Sequence, residues 1–488
     1  MDYTYRFQKI THKFPLQFDV RPLRIDKVPQ KKLYGNYIKA GVGNYFTSYA
    51  EAFFNTRRNE RYSYGLHLRH LQSRIGVIDR QNSGNTRHEA NFNFKRFFKG
   101  NRVLYGGMDF ENARLYFYGY QSFATLPPPR EQIRQDFNII NAQIHYTNKH
   151  AMNTNTYNVG IGYHYWADHY KAREQEIEVQ TQLNSRLNSF QSLLFRADAS
   201  SSVRTDIGGR LQRNLLSSEV LYQANNAKIR LEIGGRFVFQ NDTLQHQKTW
   251  RLYPKLYFSW SIWKNRLNLF TGIEGNTQKR LLRSFIAENP FLNQNIALLH
   301  TNQQWESFIG VQTQLATSFN WQAKISYGNY QNLHFFVNDA NAPSKFVVQY
   351  ENASTPVLHL LNEVVLSYKK LKTSFKTEFY KYDLPNLPQA WHRPLLKNTL
   401  TTSYRYSEKL FFDIAFFHLA GIQAFDVSKD KAIELQPITD LSLKIDYHFK
   451  PTWSAFVKGN NLLAQNYQRY LNYEVRTAEV IAGITFAF

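Results

Sequence analysis

The chain of 488 residues contains no cysteine, so it can form no disulfide framework and no thiolate metal site. It also lacks any apolar run near 18 residues long, and its mean hydropathy is −0.52. A membrane-spanning helix needs about 20 apolar residues in succession, so a helical membrane protein is excluded. Met1-Asp2-Tyr3-Thr4-Tyr5 opens without a basic stretch or an apolar run, and no signal peptide is read there. An exported chain of this kind reads as a mature or truncated form. Acidic residues are scarce, 37 Asp and Glu against 60 Lys and Arg, giving a formal charge of +23. Such a balance raises the question of nucleic acid. Here the basic residues are spread along the chain and do not gather into one arm or helix, so no nucleic-acid partner is expected.

What the chain has in abundance is aromatic residues, 16% of the total, with 32 Tyr and 38 Phe. It also has a persistent two-residue rhythm. Leu441, Leu443, Ile445, Tyr447 and Phe449 alternate with Ser442, Lys444, Asp446 and His448. Tyr157, Val159, Ile161, Tyr163 and Tyr165 alternate with Asn158, Gly160, Gly162 and His164. Side chains on a strand point alternately to opposite faces, so each segment is greasy on one side and polar on the other. Counting such segments from Leu33–Gly43 to Tyr473–Phe488 predicts about 22 strands. Several are long: Arg102–Tyr120, Trp321–Val337, Lys345–Tyr368 and Leu410–Phe425.

The breaks between strands alternate in length. Lys99-Gly100-Asn101, Lys264-Asn265 and Lys370-Leu371 are short, whereas Arg74–Asn85, Gln121–Arg134 and Lys279–Asn302 are long. Short turns at one end and long loops at the other suit an outer-membrane barrel, in which only alternate residues touch lipid. Aromatic residues then form girdles at the two interfaces. The reading is an all-β, transmembrane antiparallel β-barrel over residues 33–488. An even strand count returns both termini to the periplasm. Met1–Lys32, with Pro15, Pro22 and Pro29, is read as a periplasmic or lumenal segment. A short helix is expected within Leu281–His300.

The final strand repeats the pattern at the chain end. Val480, Ala482, Ile484, Phe486 and Phe488 lie on one face, and Glu479, Gly483 and Thr485 on the other, with Ile481 and Ala487 as exceptions. This resembles the C-terminal insertion signal that the barrel assembly machinery of the bacterial outer membrane reads. Just upstream, Val457-Lys458-Gly459-Asn460-Asn461-Leu462-Leu463, followed by Tyr467 and Tyr470, resembles the end of TonB-dependent outer-membrane receptors. The motif, Val457, Lys458, Asn460, Asn461, Leu462 and Leu463, covers only about the last 35 residues. The architecture covers roughly residues 33–488.

The resemblance implies a conduit for a solute across the outer membrane. It also implies a plug domain before the barrel, and here only about 32 residues precede the first strand. That stretch is too short for a packed domain, though extended it could span roughly 100 Å. Met1–Lys32 contains no segment recognisable as TonB-interacting. Either a plug was trimmed, or the N-terminal segment and inward loops fill the lumen, or a partner chain seals it; the roles left open are a transport barrel, a structural, partner-binding subunit of a larger outer-membrane complex and, trailing, an outer-membrane enzyme.

Arg230, Arg236, Lys324 and Lys444 fall on the inward face and predict a hydrated lumen with positive bias, favouring an anionic or polyhydroxylated solute or an acidic protein segment. Expected partners are outer-membrane lipid, lipopolysaccharide phosphates at basic rims, the barrel assembly machinery, and a plug-like, extracellular or periplasmic protein. His164-Tyr165-Trp166-Ala167-Asp168-His169 is the densest histidine cluster, but its spacing matches no standard zinc arrangement. His145 and His448 are read as inward hydrogen-bonding groups. Gly41-Val42-Gly43 has no helix pattern behind it and is read as a tight bend, not a dinucleotide loop. No catalytic set stands out. The expectation is no enzyme, no cofactor and no metal.

Overall fold

The structure is a computed structural model that describes residues 34–57, 59–120, 126–148, 154–242, 247–263, 266–316 and 318–488. The segment Met1–Lys32 lies outside the described residues. Twenty-two antiparallel strands form one sheet, each pairing with its neighbour in sequence. The first strand, Tyr37–Gly43, pairs with the last, Glu479–Ala487, and closes the barrel. Closure leaves no unpaired edge, the condition for crossing lipid with strands. At the seam Ile38 faces Phe486, Ala40 faces Ile484 and Val42 faces Ala482.

The predicted alternation sets inside from outside. Ile161, Ile309, Ile325 and Ile484 are each more than half exposed on the outer face. In water such a band would be a severe liability; in acyl chains it is the required surface. Tyr62, Phe98, Phe190, Trp263, Tyr368 and Tyr406 stand exposed at the short-turn end and form an aromatic girdle there.

The 22 predicted strands correspond one to one with the 22 barrel strands, but several predicted ones run too far. The strand predicted to Tyr120 ends at Tyr116. The strand predicted over Trp321–Val337 is Phe319–Gln331; at Asn332, with φ 55°, the chain turns away from the wall. It then forms a separate hairpin, Leu333–Asn338 with Phe346–Glu351, before the wall resumes at Thr355. Likewise Leu410–Ala420 ends at Gly421, φ 70°, and Ile422–Asp426 pairs with Lys431–Leu435 outside the barrel sheet. The same rhythm continues through both hairpins, so periodicity could not mark where the wall stops.

One exception and one predicted bend acquire physical causes. Ile481 points inward and packs with Leu71, Phe456 and Tyr49. Gly41 is not a bend: a Cβ there would lie 2.8 Å from the Ala482 carbonyl oxygen and 2.9 Å from the Phe456 ring. Glycine is required for close approach of backbone and ring across the seam. The turn itself is Asn44–Phe46. A helix does occur in the predicted loop, at Leu282–Glu288.

Candidate functional site

The long loops all lie at one end, and they do not splay into solvent. Tyr118 follows the fifth barrel strand (Arg102–Tyr116), Phe291 the thirteenth (Leu267–Gln278) and Tyr473 the twenty-first (Trp453–Asn460). Around a ring of 22 strands these loops start about a third of a turn apart. Their three rings meet: Phe291 stacks on Tyr473 at 3.6 Å between centroids, and Tyr118 meets Tyr473 edge-on at 4.9 Å and Phe291 at 6.0 Å. Loops from separate sectors of the wall therefore converge across the mouth. Phe285, Leu298, Phe346 and Tyr470 complete a buried core with them. Two smaller clusters, around Ile422 and Trp391, extend it over the remaining loops. The barrel carries a lid with an apolar core of its own.

The loop after the thirteenth strand also reaches back to the wall. On the eighth strand, Arg173–Arg186, the carboxylates Glu174, Glu176 and Glu178 face inward. Glu174 accepts the backbone N–H groups of Leu282 at 2.9 Å and Arg283 at 3.3 Å, satisfying donors that a helix start leaves free. Glu176, 1% exposed, binds Lys279 Nζ at 2.6 Å and the Arg283 guanidinium. Lys279 also lies 3.0 Å from Glu178. Arg204 and Arg213 on the wall donate to the Ile296 and Arg280 carbonyls at 2.5 and 2.7 Å. These bonds form a latch between loop and wall.

Polar groups inside the lid tie loop to loop. His334 Nε2 lies 2.8 Å from both Glu288 and Arg393, and Tyr470 donates to the Glu288 carbonyl at 2.6 Å. His392 holds the Phe336 carbonyl through Nδ1 at 2.7 Å and receives the Leu471 N–H on Nε2 at 3.2 Å. Arg476 reaches the Ile75 and Ser83 carbonyls and Asn85. Burial pushes the His334 imidazole down to about 4 and that of His392 to about 3. Burial alone would raise Glu288, but the Arg393 charge and the His334 hydrogen bond outweigh it and hold the carboxyl below its usual range.

The predicted inward cations are all on the inner wall, and each has an acidic partner. Arg230 bonds Glu232 at 2.6 Å, Arg236 bonds Glu219 at 2.5 Å, Lys324 bonds Glu306 at 3.1 Å and Lys444 bonds Asp446. The motif near the C-terminus has a structural role in this chain. Asn461, at φ 46°, donates to the Gln465 and Arg476 carbonyls at 2.8 and 2.9 Å and ends the twenty-first strand. Leu462 packs against Gly459, whereas Val457 and Leu463 are exposed. Of the histidine cluster, His164 faces Asn141 and Glu178, while Asp168 receives the Ala172 N–H and His169 approaches Asp136. His145 stacks flat on Tyr105 at 5.0 Å, and its Nδ1 has no hydrogen-bond partner among the described residues; Gly160 leaves room for the ring.

His164, Glu176 and Glu178 bring donor atoms within 4.8 Å of one another. The Lys279 ammonium already sits between the two carboxylates, where a cation would go. Below it lies a polar cavity of about 310 Å³ that also meets Arg196, Asp198, Glu219 and Arg236. The chemistry of the whole region is closure: buried ion pairs and stacked rings hold loops to wall. The sequence signal that marked it was present but unread. Phe117-Tyr118, Phe335-Phe336 and Trp391 are large apolar residues in loops, where solvent alone would select polar ones.

No protein-family model matches the chain, and no curated protein matches it. Solved structures do. The siderophore receptor PiuA from Acinetobacter baumannii superposes with a TM-score of 0.70 at 11% identity, covering 93% of this chain and 82% of that one. The ferric-catecholate import receptor Fiu from E. coli K12 gives 0.70 at 10%, with the same coverage. The FrpB iron transporter from Neisseria meningitidis gives 0.72 at 11%, covering 94% and 82%. Identities this low establish the fold alone. With its closed ring of 22 strands and outward apolar band, the chain has the fold of these outer-membrane β-barrels.

Proposed function

We propose that this barrel is a receptor-like conduit for a polar solute across the outer membrane, and that its mouth is shut by its own loops. The short turns and both chain ends face the periplasm in this reading, with residues 33–488 as the barrel and Met1–Lys32 as a periplasmic or lumenal segment. The lid faces outward. Among the described residues no separate plug domain is present, and the lid takes over the task of closure. One observation carries the reading: the junction of Tyr118, Phe291 and Tyr473, which brings loops from three sectors together over the lumen. A lid joined to its wall by salt bridges is suited to open and reclose, since such bonds exchange for water more readily than a packed core does.

A second reading is a partner-binding subunit of an outer-membrane complex. The pairing of Arg230, Arg236, Lys324 and Lys444 with carboxylates supports it, because paired cations give an anionic solute little to bind. Planar-bilayer conductance separates the two. Replacing residues 282–298 with a short Gly-Ser linker converts a silent barrel into a stable pore if the lid closes a conduit. A silent linker variant of intact fold supports the partner subunit.

A further inference from the structure

The two ends of the barrel differ in charge. The long loops carry thirteen basic against ten acidic residues among those described. In the short turns, among the described residues, eight lysines and arginines face only two glutamates, Glu60 and Glu408. Among the described residues none of the eight forms a salt bridge with an Asp or Glu. Lys370 donates to the Tyr406 carbonyl at 3.1 Å, and Lys369 and Arg266 lie over the rings of Tyr368 and Trp263. Arg57 donates to an oxygen of Phe488 at the chain end, while contacts to carbonyls and rings leave the charges of Lys370, Lys369 and Arg266 uncompensated.

The excess continues inside the turn-side mouth. A cavity of about 640 Å³ is lined there by Lys369, Lys370, Lys372 and Arg405, with Phe411 and His448. Its two carboxylates are already engaged: Asp446 binds Lys444, and Asp413 accepts from Ser403 at 2.7 Å. Lys372 and Arg405 are on inward positions of their strands, alternating with the outward Phe375 and Tyr404. They face the lumen and not the lipid, so a membrane headgroup does not meet them. The chain's own leading segment is a poor occupant as well, since residues 1–33 carry eight basic residues against three aspartates.

We propose that the turn-side mouth is a docking site for an acidic segment of a partner protein. Clustered like charges with low-dielectric walls concentrate an oppositely charged ligand and speed its arrival. Aromatic neighbours such as Phe411 give the bound segment an apolar contact. The chemistry of the partner rests on the charge at this end alone; only its periplasmic location rests on the orientation proposed above.

The test uses the full chain in detergent micelles and a fluorescein-labelled peptide of about ten residues rich in glutamate, with a lysine-rich peptide as control. The glutamate peptide binds and the lysine peptide does not. Raising NaCl from about 50 to about 500 mM weakens binding at least tenfold, because exposed charges are screened beyond the Debye length. The variant K369E/K370E/K372E loses at least about tenfold in affinity. The lid-side variant K429E/K431E, which removes comparable charge elsewhere, keeps it. Retained heat-modifiable mobility shows that both variants are folded. Equal binding of the two peptides, an unchanged turn-side variant, or an equal loss in the lid-side variant overturns the proposal. So does binding only to vesicles of phosphatidylglycerol, which assigns the charge to lipid. A silent barrel in the conductance experiment leaves this outcome untouched, so the two ideas fail separately.

Discussion

Glu176→Gln is the sharpest perturbation of the latch. The side chain is 1% exposed and holds two cations, Lys279 at 2.6 Å and Arg283. Glutamine keeps the shape and removes the charge. Breaking one side of a buried ion pair costs about 3 to 5 kcal/mol, because the orphaned charge stays buried. Lys279 keeps Glu178 at 3.0 Å, so the lower figure applies, about 3 kcal/mol. At 1.4 kcal/mol per factor of ten, the fraction of barrels with the loop released rises roughly a hundredfold. The change falls on the loop and not on the barrel wall, where the eighth strand keeps all its backbone pairing. Wild type should therefore be silent in a planar bilayer apart from rare openings, and E176Q should open often, with unchanged heat-modifiable mobility. Limited proteolysis should cut E176Q within residues 279–300 while wild type resists. An E176Q protein as silent and as resistant as wild type would refute the latch.

The lid should loosen in acid. His334 and His392 titrate at about 4 and about 3 when the lid is closed, below the ordinary value near 6.5. The open form takes up protons first as pH falls below about 6.5, so closure loses stability from there down to about 4 for His334 and about 3 for His392, by up to about 2 kcal/mol per histidine at pH 5. Conductance or loop proteolysis measured from pH 7.5 to 5 should rise, and less steeply in H334Q/H392Q; a flat profile contradicts the burial argument. Gly483→Leu should destabilise the seam by about 1 to 3 kcal/mol through overpacking, since a Cβ there meets the Ala40 carbonyl at 2.0 Å and Phe456 at 2.6 Å. The temperature of the mobility shift should drop, and F456A should not restore it fully because the backbone clash remains. Phe488→Asp should lower the amount of barrel in the outer membrane several-fold, with Ala487→Asp as an inward-facing comparison; equal levels would remove the insertion role of that face.

Much of the wall was legible in the sequence because lipid on one face and water on the other impose a two-residue rhythm. Ile161 and Ile484 faced outward as read. The rhythm failed at Asn332 and Gly421, where a hairpin continues it beyond the membrane and only a positive φ marks the departure. The inward positions of Arg230 and Lys444 followed from the same periodicity, but their partners did not. Glu219, which holds Arg236, lies 17 residues away, and no local pattern pairs them. The lid was hidden for a stronger reason. Tyr118, Phe291 and Tyr473 are separated by more than 170 residues at each step, and only closure of the ring brings their loops together. Composition of the loops hinted at burial there, but not at which loops would meet.

The central claim is that the loop-side mouth is closed by a packed lid. A chain without cysteine allows it to be tested by single-thiol labelling in whole cells. Leu298 is 0% exposed in the lid core, and Leu463 is half exposed at its edge. With a membrane-impermeant maleimide, Leu463→Cys should label rapidly and Leu298→Cys should stay unlabelled until the cells are solubilised and denatured. Equal labelling of both positions in intact cells would contradict the closed lid.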